Sequence, residues 1–146
     1  MKRLLTILVL TALLWQVPAS AQGTRLFVIV KATGTIIPIN AELANTPEKR
    51  MQGLMFREHL GTNEGMWFQF SKENFSPFWM KNTPLSLDML FVNDNGRIVD
   101  IISDTRPYSL DSLWPRSPYY YVLEVAAGFS KKNKVAIGDL IQKDQI

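Results

Sequence analysis

The sequence predicts a mainly β domain, a compact barrel or sandwich of short strands with one short helix near residues 47–55. Three observations predict it. Short runs of branched and aromatic residues recur along the chain, each closed by Gly, Pro, Asn or Asp. Only the stretch from Thr46 to Met55 carries both a helix start and helical spacing. Finally, eight Phe, four Trp and four Tyr stand beside no Cys, so the core must be held by packing of large apolar side chains and not by disulfides.

The first segment is read apart from the domain. Lys2 and Arg3 give a positive start, Leu4 to Trp15 is an apolar run, and Ala19-Ser20-Ala21 follows Pro18 as a small-x-small site. These are the three parts of a secretory signal peptide in order. A membrane-spanning helix needs about 20 apolar residues, and this run has 12 before Gln16 and Pro18 end it. The reading is a cleaved signal at residues 1–21, a single domain at 22–146, no membrane span after cleavage, and a periplasmic or extracellular location.

Within the domain, Arg25 to Lys31 reads as a strand, Thr33-Gly34 as a turn, and Thr35 to Ile39 with Ala41 to Leu43 as further extended chain. Thr46 can cap a helix, Pro47 suits its first position, and Glu48 lies where the helix dipole favours an acid. Met51, Leu54 and Met55 follow at helical spacing, and Gly53 shortens the helix. Met66, Phe68 and Phe70 alternate with Trp67 and Gln69, a strand with two different faces. Phe78 to Met80 is a brief apolar run. Asp88 to Val92 and Arg97 to Ile102 flank Asn93-Asp94-Asn95-Gly96, a hairpin turn suited to positive φ. Pro107, Pro115 and Pro118 mark an irregular loop, Tyr119 to Val125 is a strong strand, and Ile137 to Ile141 leads into a last short one.

Charge excludes one class of partner. The whole chain has 16 Lys+Arg against 13 Asp+Glu and a pI near 9.3. Lys2 and Arg3 leave with the signal, so the mature balance is 14 against 13, a net charge of +1. Lys131, Lys132 and Lys134 form the one local basic cluster, and it reads as a solvated turn. No electrostatic case for nucleic-acid binding remains.

Four strings then combine. They are Gly53-Leu54-Met55-Phe56-Arg57, Gly65 to Phe70, Phe78-Trp79-Met80-Lys81-Asn82-Thr83-Pro84-Leu85 leading to Asp88, and Val122 to Val125 with Gly128 and Gly138-Asp139. In this order the chain resembles the family named "domain of unknown function 192", over roughly Ile39 to Ile141. The resemblance implies a small, often exported, mainly β domain and brings no activity with it. Tyr108 stands after Pro107 where many members have a small residue or Cys, so thiol chemistry does not carry over.

The candidate site residues are Arg57, Lys81, Asp88 and Glu124, polar groups embedded in apolar strings, with Trp79 as a wall. Glu124 shares a strand face with Val122, and a buried carboxylate needs a partner or stays neutral. Arg57 and Lys81 are candidates for that partner. One reading is an ion-pair network tying the helix end to the sheet. Another is a site for a small anionic ligand, with the chain a non-catalytic binding or accessory module for that ligand or a protein. A third is a small enzyme using Glu124 or Asp88 as general base. A fourth is Cu(I) held by Met55, Met66, Met80 and Met89 near Trp67 and Trp79, against which thioethers also simply fill cores. His59, the only histidine, lacks orienting partners and reads as a solvated loop residue. Trp114 either grips a partner or pins its loop. No catalytic residue, metal ligand or cofactor is assigned: the chain has no nucleophile-elbow serine and no P-loop.

Overall fold

The structure is a computed structural model that describes residues 24–143. The segment read as an export signal lies outside the described residues. Nine elements follow in order: β1 (Thr24–Val30), β2 (Ile36–Ala44), α1 (Pro47–Gln52), β3 (Glu64–Asn74), β4 (Leu87–Val92), β5 (Ile98–Ile102), β6 (Tyr119–Ala126), α2 (Phe129–Lys132) and β7 (Leu140–Lys143). The strands make one sheet in the order β5-β4-β6-β3-β2-β1-β7. Every pairing is antiparallel except β2 with β3. A parallel pair needs a crossover, and α1 lies in the one that joins these strands.

The sheet curls until its two edges meet at one end. Ile98 N–H donates to Asp139 O at 2.9 Å, Gly138 N–H to Ile98 O at 2.8 Å, and Ile141 N–H to Gly96 O at 2.7 Å. The result is a half-barrel, in agreement with the mainly β expectation. Its concave face holds one core, with Phe27, Trp67, Leu90, Leu123 and Ile141. The other face holds a second core of Leu54, Phe68, Met80, Phe91, Tyr119 and Val122. β4 is buried along its whole length.

Several expectations need correction. Ile36 to Ala44 is one continuous strand, because Ile37, Ile39 and Ala41 all turn inward at a period of two. The helix stops at Gln52, not residue 55. Gly53 adopts φ 48 and donates its N–H to Lys49 O, closing the last turn. A second short helix, α2, follows Gly128, whose φ of 81 turns the chain into it. The apolar run Phe78 to Met80 forms no strand of its own, only an isolated bridge from Phe78 to Leu113. The β4–β5 hairpin is as read: Asn93 Oδ1 accepts from the N–H groups of Asn95 and Arg97. No helix among the described residues is long and apolar enough to cross a membrane.

Candidate functional site

Strand alternation builds the site. Along β6, Leu123 and Val125 face the concave core while Val122 and Glu124 face the other side. Glu124 is flanked in register by Met66 of β3 and Met89 of β4. The neighbouring row is Phe68, Val122 and Phe91. Two pieces of chain stand over this face. One is α1 with the turn after it. The other is the 75–86 segment, fixed by a reciprocal pair of backbone hydrogen bonds between Phe78 and Leu113 and by Met80 N–H to Ser109 O at 3.0 Å.

Between them lies an open cleft of about 490 Å³, within the ordinary size for a small-molecule site. Leu54, Met55, Phe68, Met80 and Leu87 line it, with Glu124 among them. Trp79, Lys81 and Met51 stand at its exposed mouth. Tyr119 also lines the cleft, and its hydroxyl donates to Ser76 O at 2.9 Å. Burial pushes that hydroxyl up to about 12.

Glu124 is the acid of this lining. It is 4% exposed, and its carboxyl makes no hydrogen bond or ion pair among the described residues. Charge in an apolar site without a partner is costly. Burial alone therefore pushes the carboxyl up to about 8. Near neutral pH this favours the protonated form, a hydrogen-bond donor facing the cleft.

The five sequence candidates do not converge as a set. Arg57 is not the partner of Glu124: its guanidinium grips Glu42 of β2, Nη1 to Oε1 at 2.8 Å and Nη2 to Oε2 at 3.0 Å. This bidentate pair does tie the turn after α1 to the sheet, with a different carboxylate from the one expected. Lys81 is not a partner either. Its Nζ lies over the Trp79 ring, 5.1 Å from the centroid. Asp88 leaves the site altogether, because position 88 pairs with Val125 and so turns to the opposite face from Glu124. Trp79 lines the cleft at its mouth, 44% exposed.

The four methionines of the Cu(I) reading stay on the Glu124 side of the sheet, and of its aromatic partners only Trp67 leaves it. Met66 and Met89 neighbour Glu124 in the sheet, Met80 and Met55 line the cleft, and Trp67 is on the concave face, stacked between Phe27 and Tyr121 at 4.6 and 5.0 Å. Met55 sulfur accepts from Asn82 Nδ2 at 3.9 Å. Among the described residues no group of three or more His, Cys, Asp or Glu is placed to hold a metal ion. His59 is exposed, as read. Trp114 is 54% exposed and leans on Phe75, with ring centroids 5.9 Å apart.

Sequence reasoning missed most of the cleft wall. Met51, read with the apolar helix positions, is 68% exposed at the rim. Phe56 and Tyr108 enter the sequence reading only through the family resemblance, with no backbone role. Both hold positive φ, at 61 and 59, and both are exposed, at 72% and 63%. Their N–H groups donate to Asn82 O and Thr83 O, so two adjacent carbonyls fix both strained residues. No local signal announces a left-handed aromatic.

A curled seven-stranded sheet with an apolar cleft and a buried carboxyl that has no partner among the described residues defines a small half-barrel domain with a candidate ligand site. The chain belongs to the DUF192 family, described as "Uncharacterized ACR", whose model matches residues 28–143. Two solved structures are similar. One is a candidate transcription regulator from Sinorhizobium meliloti 1021, 36% identical, with a TM-score of 0.81, covering 83% of this chain and 94% of that one. The other is a protein of unknown function from Novosphingobium aromaticivorans DSM 12444, 31% identical, with a TM-score of 0.80, covering 86% of this chain and 89% of that one. No curated protein matches.

Proposed function

We propose that this chain is an exported, non-catalytic binding module that takes a small, largely apolar ligand into the cleft above Glu124. One observation carries the reading: a carboxyl buried among apolar side chains, with no protein partner among the described residues, opens onto a cavity of ligand size. Buried polar groups are normally satisfied, so a group left open at a cleft points to a partner from outside. The anionic-ligand form of the reading loses support, because Arg57 is taken by Glu42 and Asp88 faces the other way. The description of the Sinorhizobium protein invites a nucleic-acid reading, yet a net charge of only +3 for the whole chain, or +1 without residues 1–21, and an apolar cleft do not favour a phosphate backbone. Export rests on the residue pattern from Lys2 to Ala21.

The test is amide NMR with a panel of small apolar fragments. Binding is expected to shift Gly53, Leu54, Trp79 and Met80 together. Shifts confined to the concave face, or none with any fragment, would sink the reading. Export is checked by sequencing the amino terminus of protein recovered from the periplasm or medium, where Gln22 is expected as the first residue.

A second reading has one specific observation behind it. A carboxyl near 8 suits a general acid or base working close to neutral pH. In that reading Glu124 acts alone, since Asp88 is on the other face. Turnover that follows a titration near pH 8 and disappears in Glu124→Gln is its expected signature.

A further inference from the structure

We infer that the cleft is a site for an organic cation: a protonated amine on an aliphatic or aromatic body, its N–H groups donating to Glu124 and its body lying against Trp79, Met80 and Phe68. The inference rests on the binding reading above and names the ligand class.

Three observations point the same way. The first is the state of Glu124. A neutral apolar ligand would leave its carboxyl unpartnered. An anion would force it to stay protonated and would face like charge whenever it ionised. A cation at hydrogen-bond distance opposes the burial penalty more strongly than a neutral polar ligand, because an adjacent opposite charge favours the ionised form.

The second is the aromatic wall. Ring faces attract cations, Trp most strongly. Two rings of this cleft already show it: Lys81 Nζ sits 5.1 Å from the Trp79 centroid, and the Arg50 guanidinium 5.2 Å from that of Phe70. The third is where the chain's own cations stand. Arg50 is engaged with Gln69 O at 2.9 Å as well as with Phe70. Lys81 is exposed at the mouth. Neither makes an ion pair with Glu124 among the described residues, so the acid is unclaimed. On the same face, beyond Met66, Glu42 pairs with Arg57, and Glu64 lies near enough to act on that guanidinium. Tyr119, also lining the cleft, stays a neutral phenol.

Three probes of similar size and different charge decide it: phenethylamine, phenethyl alcohol and phenylacetate, followed by amide NMR. At pH 8 the amine is expected to bind about tenfold or more tighter than the alcohol, a difference of ~1.4 kcal/mol, and phenylacetate weakest. Amine affinity is expected to rise about tenfold from pH 6 to pH 7 and to level off near pH 8, as the proton it displaces becomes easier to remove. The alcohol is expected to show no such rise. In Glu124→Gln the amine-to-alcohol ratio falls to about one and the pH dependence disappears.

Equal affinity for amine and alcohol in the wild-type protein would overturn the cation inference while leaving the cleft a binding site. A preference for phenylacetate would do the same. No shift at Leu54, Trp79 or Met80 with any of the three would overturn both readings. Should Glu124→Gln fail to fold, the wild-type profile still decides: amine affinity that is flat between pH 6 and pH 8 overturns the inference.

Discussion

Asp88 and Glu124 stand one residue out of step on adjoining strands, Asp88 opposite Val125 and Glu124 opposite Met89. Both are buried, at 0% and 4% exposure. The period of two in a strand sends one carboxyl to each face of the sheet, and the two meet opposite surroundings. Asp88 accepts from the N–H groups of Asp104 at 3.0 Å, Gly128 at 3.3 Å and Ser130 at 2.8 Å. It ties the loop after β5 and the start of α2 to β4. Glu124 meets Met66 and Met89 in the sheet and an apolar cleft above it. The comparison teaches that burial alone does not assign a role to an acid. A carboxylate whose lone pairs are filled by backbone donors belongs to the scaffold. One left without donors at a cavity is available to a ligand.

The largest effect that can break this comparison is the pH dependence of folding. Glu124 is raised from 4.5 when unfolded to about 8 when folded. The folded state therefore binds the proton more tightly. The stability this contributes is full below pH 4.5 and is lost as pH rises through 8, up to about 5 kcal/mol in all. Urea unfolding of Glu124→Gln is expected to show a flatter profile across that window and greater stability than the wild type at pH 9. Parallel profiles for the two proteins would place the Glu124 carboxyl in water and remove the contrast with Asp88.

Asp88→Ala comes next. It leaves three N–H groups without their acceptor and is expected to cost about 3–4 kcal/mol by the same measurement. A loss under ~1 kcal/mol would show that water replaces the carboxylate and that Asp88 is no staple. Gly65→Ala sharpens the contrast from the backbone. A Cβ at position 65 would sit 2.5 Å from the carbonyl oxygen of Glu124. Pushing β3 off β6 there is expected to cost roughly 2 kcal/mol and to move the Glu124 titration. The smallest effect belongs to Arg57→Ala. Its pair with Glu42 is more than a third exposed on both sides, so a loss of about 0.5 kcal/mol is expected. The NMR titration of Glu124 should stay put, and a shift of a full unit would restore Arg57 as its partner.

Much of the fold was legible because it is written in local chemistry. Thr46-Pro47 opens α1 with the threonine hydroxyl accepting from Lys49 N–H. Asn93 to Gly96 closes the hairpin through the asparagine side chain. The alternation of Met66, Phe68 and Phe70 with Trp67 sorts residues to the correct faces. The helix end was misplaced because Met51 and Leu54 keep helical spacing through Gly53, while the positive φ of Gly53 halts the helix one turn sooner. α2 was missed because four residues are too few to show a period.

The candidate site was half legible for a related reason. A charged residue inside an apolar string marks a special position, and all four such residues do occupy structured places. Spacing cannot say which partner each one finds. Arg57 reaches Glu42, fifteen residues upstream, through the parallel pairing of β2 with β3. Asp88 reaches α2, forty residues downstream and more, because β4 lies beside β6.

The sequence by itself determined a mainly β domain without disulfides, a capped first helix, a hairpin, the family, and the rule that Glu124 and Val122 share a face. These follow from backbone propensity, turn chemistry and periodicity, which act over a few residues. Only the tertiary structure decided that Asp88 and Glu124 lie on opposite faces, that Arg57 is already paired, and that α1 and the 75–86 segment leave a cleft over an acid with no partner among the described residues. Those outcomes depend on strand order and register. They are set by which apolar surfaces can be buried together across the whole sheet, and no short stretch of the chain contains that information.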